Sequence, residues 1–126
     1  MSQPGFRLEA RARSFRYAAR GIVALVRSQH NAWIHAAASI AVVALGLIVG
    51  LSRVEWCLVV GAITAVWTAE ALNTALEALC DVASPGAHPL VERVKDIAAG
   101  AVLITAAGAV VIGLLVFGPH LLARGG

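Results

Sequence analysis

Three apolar stretches, from about Ala32 to Leu51, Trp56 to Leu79 and Ile97 to Phe117, dominate this chain. Each runs for about 20 residues or more, the length a helix needs to cross about 30 Å of hydrocarbon. Only helices or closed barrels satisfy their backbone hydrogen bonds in lipid, and stretches of this length specify helices. The 126 residues are 60% hydrophobic and 13% charged, about half the charge density of a soluble domain. So little polar material cannot cover a globule, and the same figures exclude a disordered chain. The expected fold class is therefore an all-α membrane protein, residues 1–126 forming one domain.

The charges are placed asymmetrically. Six of the ten basic residues, Arg7, Arg11, Arg13, Arg16, Arg20 and Arg27, precede the first span. Arg93 and Lys95 lie in the segment 81–96 between the second and third spans, whereas the opposite side has only Arg53 and Arg124. By the positive-inside rule the N-terminus and the 81–96 loop are cytoplasmic and the C-terminus lies outside. Within residues 6–28, Leu8, Phe15, Ile22 and Val26 fall within about 40° on a helical wheel, and four arginines share another face. That sorting predicts an amphipathic helix lying in the headgroup plane. It also argues for a membrane surface, and against nucleic acid, as the partner of the basic residues. Cys57 and Cys80 lie on one predicted helix, about 35 Å apart at 1.5 Å per residue, too far for a disulfide. Gly46 and Gly50 form a GxxxG pair that permits close helix contact.

The second span is not purely apolar. Glu70, Asn73, Glu77 and Asp81 project from a single arc about 80° wide. An ionisable residue in a membrane segment costs about 2.5–3.5 kcal/mol even on the lenient insertion scale. A packing seam would need only Asn73, so two added carboxylates point to a functional site. The stripe starts at the cytoplasmic interface and descends about 13 Å to Glu70. Carboxylate and amide oxygens are hard donors suited to Mg²⁺, which commonly bridges to phosphates. Lys95 and Asp96 stand nearby in sequence. Metal and phosphate chemistry at a lipid interface implies a kinase or phosphatase acting on lipid, although no P-loop, GxGxxG, HRD or DFG motif is present. The alternatives are a small multidrug-type transporter and a non-catalytic membrane scaffold. His30, Asn31, His35 and the tryptophans Trp33, Trp56 and Trp67 read as interface or packing residues, and His120 as a solvated end.

The segments SFRYAARG (14–21), NAWIH (31–35), EW (55–56), EALNTALEALCD (70–81), HPL (88–90) and KDIAAGAVL (95–103) carry a resemblance. In order and spacing they resemble the small bacterial integral-membrane kinases that phosphorylate diacylglycerol or undecaprenol. The NTALE and HPL segments look closer to the undecaprenol-type members. The resemblance implies a homotrimer of three-span subunits in the inner membrane, with ATP and Mg²⁺ as cofactors and a lipid alcohol as substrate. It further implies Glu70 as general base, Glu77 as a ligand of the metal that accompanies ATP, and Asn73 as the amide supporting that site. Lys95 and Asp96 match the pair that contacts phosphates and ribose, and Tyr17 an aromatic near the adenine. Gly86 and His88 match the loop over the nucleotide. Where well-characterised members have a second metal-binding glutamate, this chain has Gln29, which keeps a carbonyl donor and loses the charge.

Overall fold

The computed structural model of the chain describes residues 7–28 and 30–125. Four helices follow one another: α1 (Leu8–Ser28), α2 (His30–Val49), α3 (Arg53–Ala83) and α4 (Pro89–Gly125). Three of them contain segments long and apolar enough to cross a membrane, Asn31–Val49, Arg53–Ala83 and Pro89–Ala123. The three apolar stretches are thus three helices, as expected. Phe6, the expected first residue of α1, lies outside the described residues.

The helices outrun their apolar cores. Residues 81–83 and 89–96 are helical, so the segment expected as a loop over 81–96 narrows to 84–88. Polarity marks where a chain leaves hydrocarbon, not where its helix ends, and Asp81, Glu92, Arg93 and Lys95 are all compatible with helix. The α4 start follows from His88-Pro89. His88 Nδ1 accepts the Leu90 amide N–H at 3.1 Å, and Pro89 occupies a first-turn position where a missing N–H costs nothing.

The α2–α3 turn is specified residue by residue. Gly50 adopts φ +74°, a left-handed conformation that suits glycine. The Gly50 and Leu51 amides both donate to the Gly46 carbonyl, at 3.0 and 3.2 Å, and close α2. Ser52 then caps α3 in a capping box: its hydroxyl accepts the Glu55 N–H, and Glu55 Oε1 accepts the Ser52 N–H. The GxxxG pair therefore divides its labour. Gly50 ends a helix, and Gly46 makes room for the Trp56 indole, whose Cη2 would lie 2.7 Å from an added Cβ.

The packed core, Val49, Leu51, Val59, Val116 and Phe117, sits at this end, with Trp56 against it. Here His120 differs from expectation. It is not a solvated end: its Nε2 lies 2.9 Å from Glu55 Oε2, tying the end of α4 to the start of α3. Helices α3 and α4 form the most extensive helix pair, while α2 leans on α3 more lightly. Elsewhere Ile40, Leu47, Leu103, Ile104, Leu114 and Leu115 are exposed. On a water-soluble protein such a surface would be a liability, and in a bilayer it meets acyl chains. Cys57 and Cys80 are both free thiols on α3.

Candidate functional site

Glu70 lies near the middle of α3, about 20 Å from its Ala83 end at 1.5 Å per residue. It is the most deeply buried large side chain described, 1% exposed, and Asn73, one turn on, is 8% exposed. Glu70 Oε1 and Oε2, Asn73 Oδ1 and Thr74 Oγ1 are buried without a hydrogen-bond partner. Every one of these atoms can accept a hydrogen bond, and three of them can only accept. A buried polar group left unpaired costs about 1–3 kcal/mol. Four such atoms within five residues form a site that calls for a hydroxyl donor or a cation. Thr74 falls about 40° round the helix from Glu70 and widens the predicted stripe.

Clefts flank the stripe on both sides. A groove of about 600 Å³ between α3 and α4 has Asn73 in its wall among Leu72, Leu76, Val94 and Ile97. A cleft of about 410 Å³ between α1 and α3 has Thr74 in its wall opposite Gly21 and Ile22. Towards the 84–88 loop, Glu77 is half-buried and Asp81 is exposed. Asp81 Oδ1 accepts the Lys95 ammonium at 2.8 Å, which places that cation at the mouth of the stripe.

Not every predicted residue converges. Asp96 is exposed on α4, Gly86 is exposed in the loop, and His88 caps α4. Tyr17 is exposed on α1, where the Arg20 guanidinium lies 5.7 Å from its ring centroid. Gln29 lies outside the described residues.

Sequence reasoning missed the partner of Glu70. His35 Nε2 lies 3.4 Å from Glu70 Oε2. Four residues on, the Ser39 hydroxyl donates to the His35 carbonyl at 2.7 Å and accepts the Trp67 indole N–H at 3.1 Å. The Trp67 ring meets the imidazole edge-on, with centroids 6.2 Å apart. Of the two readings expected for Trp67, the packing one holds: its indole bridges α3 to α2. The available signal was the pairing of polar His35 and Ser39 at i, i+4, past the first turn of a helix otherwise apolar from there on.

The donor set also bears on Mg²⁺. Among the described residues no three His, Cys, Asp or Glu side chains gather to hold a metal. Glu77 and Asn73 are too few to cage an ion, yet they suit one that arrives bridged to phosphates, the usual habit of Mg²⁺. The residues fit that use.

The sequence pattern of the prokaryotic diacylglycerol kinase family matches residues 16–117. The chain is 42% identical over 109 residues to the undecaprenol kinase of Bacillus subtilis, an alignment covering 86% of this chain and 89% of that one. It is 35% identical over 111 residues to the diacylglycerol kinase of Synechocystis sp., covering 87% of this chain and 63% of that one.

Proposed function

The chain belongs to the prokaryotic diacylglycerol kinase family, and we propose that it transfers the γ-phosphoryl group of ATP to the hydroxyl of a membrane lipid alcohol. It is a lipid kinase, a phosphotransferase with an alcohol acceptor, in keeping with the family and both relatives. Membership favours this over a transporter or a scaffold. The product is phosphatidic acid from diacylglycerol or undecaprenyl phosphate from undecaprenol, and the higher identity to the undecaprenol kinase favours the latter.

The observation that carries the mechanism is the buried acceptor cluster at Glu70, Asn73 and Thr74. A lipid alcohol in the α3–α4 groove would lay its chain along Leu72, Leu76 and Ile97, with Asn73 in the groove wall and Glu70 about one turn away on the same helix. Glu70 takes the hydroxyl proton as the lipid oxygen bonds to the γ-phosphorus. The bond from that phosphorus to the bridging oxygen breaks, and its electron pair leaves with ADP. Asn73 supports the site and Lys95 faces the phosphates once it exchanges Asp81 for them. Asp96, Tyr17, Gly86 and His88 would contact the rest of the nucleotide. Glu77 and Gln29 would hold Mg²⁺, which neutralises phosphate charge when bound. Phosphoryl transfer depends chiefly on such positioning and electrostatics.

The assembly reading is a homotrimer in the inner membrane, its N-terminus cytoplasmic and its basic α1 on the anionic surface. The Gly/Ala-rich faces and the arginine distribution support it. Cross-linking in mild detergent is expected to give a ladder ending at trimer, and a reporter fused after Gly126 to be active only when exported. A ladder ending at dimer, or a C-terminal reporter active in the cytoplasm, contradicts it.

The function is tested by ATP turnover of the purified protein with diacylglycerol or undecaprenol added. Turnover should depend on lipid and be faster with undecaprenol. Turnover indifferent to both lipids contradicts the assignment.

A further inference from the structure

The side chain nearest the Glu70 carboxylate from another helix comes from α2: His35, a residue to which neither the sequence reading nor the family resemblance assigned a catalytic role. We infer that His35 is a positioning residue for the reaction: its imidazole orients the Glu70 carboxylate, holding Oε2 so that Oε1 faces the arriving lipid hydroxyl. This rests on Glu70 being the base.

Three observations support it. First, Glu70 is 1% exposed and neither carboxylate oxygen has a hydrogen-bond partner, yet His35 Nε2 stands 3.4 Å from Oε2. That distance is slightly beyond a good hydrogen bond. Catalytic contacts of this kind are often long before substrate binds and tighten in the complex. Second, the imidazole is itself held. Ser39 bonds the His35 carbonyl, Trp67 bonds Ser39, and the Trp67 ring meets the imidazole edge-on. Third, the two contacts run in register between antiparallel helices: His35 faces Glu70, and Ser39, one turn on, faces Trp67, one turn back. A lone stray histidine would not carry a second rung.

The chemistry follows from the donor inventory. A neutral imidazole protonated at Nε2 donates to Oε2 and leaves Oε1 for the lipid hydroxyl. The other charged groups are arranged so as to leave this pair to itself. On α3, Glu77 is two turns from Glu70, and Asp81 pairs with Lys95 of α4. Asp96 of α4 and Arg20 and Arg27 of α1 are exposed.

The test compares His35→Phe and His35→Gln with the parent chain in detergent. Phenylalanine keeps the ring and removes the donor, whereas the glutamine amide restores an N–H at a similar reach. His35→Phe should lower kcat about 10–100-fold and leave the KM for ATP within about twofold. His35→Gln should recover much of the rate. The infrared carboxylate stretch of Glu70, identified by its loss in Glu70→Gln, reads the loss of the donor without turnover and should change frequency in His35→Phe. A Glu70 band unmoved by His35→Phe overturns the inference whether or not Glu70 is the base. So does an equal loss of kcat in both variants, which is the signature of packing alone. If the band moves while Glu70→Gln stays fully active, the pairing stands and the base assignment falls.

Discussion

Replacing Glu70 with glutamine is expected to lower kcat for lipid phosphorylation by about 10²–10⁴-fold, the usual worth of a positioned general base. The amide keeps the size of the side chain and one acceptor oxygen, so the buried acceptor cluster loses its charge without leaving a cavity. ATP affinity should change little, because Lys95 and Asp81 at the mouth of the stripe are untouched. The check is steady-state kinetics with lipid and ATP varied separately, alongside nucleotide binding to the inactive protein. A variant of undiminished kcat would return the carboxylate stripe to a structural role.

Glu77→Gln should behave differently. Glu77 lies two turns closer to the 84–88 loop than Glu70 and is only half-buried. Its loss is expected to raise the Mg²⁺ and ATP concentrations needed for half-maximal rate by an order of magnitude or more, as well as to slow turnover. Gln29→Glu is the converse experiment: it restores the carboxylate that the family resemblance places there and should lower the Mg²⁺ requirement. Mg²⁺ titrations at fixed ATP and lipid check both. If Glu77→Gln lowered kcat while leaving the Mg²⁺ dependence unchanged, its metal-holding role would be withdrawn.

The parts of the molecule that were legible beforehand are those on which lipid imposes a simple rule. Hydrocarbon thickness makes a spanning helix about 20 apolar residues long, so Asn31–Val49 and its two successors stand out. Charge is costly there, so Glu70 and Glu77 stand out in turn. The ends were less legible. Residues 81–83 and 89–96 are polar and helical at once, and polarity alone assigned them to a loop. Interhelical pairs were least legible, because each needs a register that one helix does not encode. His35 against Glu70, Ser39 against Trp67 and His120 against Glu55 join residues 35, 28 and 65 positions apart. Gly46 belongs to the same class, since its smallness answers to the Trp56 ring across the turn.

The central claim is that the buried oxygens of α3 receive a lipid hydroxyl for phosphorylation. The most direct measurement follows the γ-phosphoryl label of ATP with the purified chain, Mg²⁺ and either undecaprenol or diacylglycerol. The label should appear in the extracted lipid as its monophosphate, in step with ADP formation, and should vanish from lipid in Glu70→Gln. Label found only as inorganic phosphate, or lipid labelled equally by the variant, would contradict it.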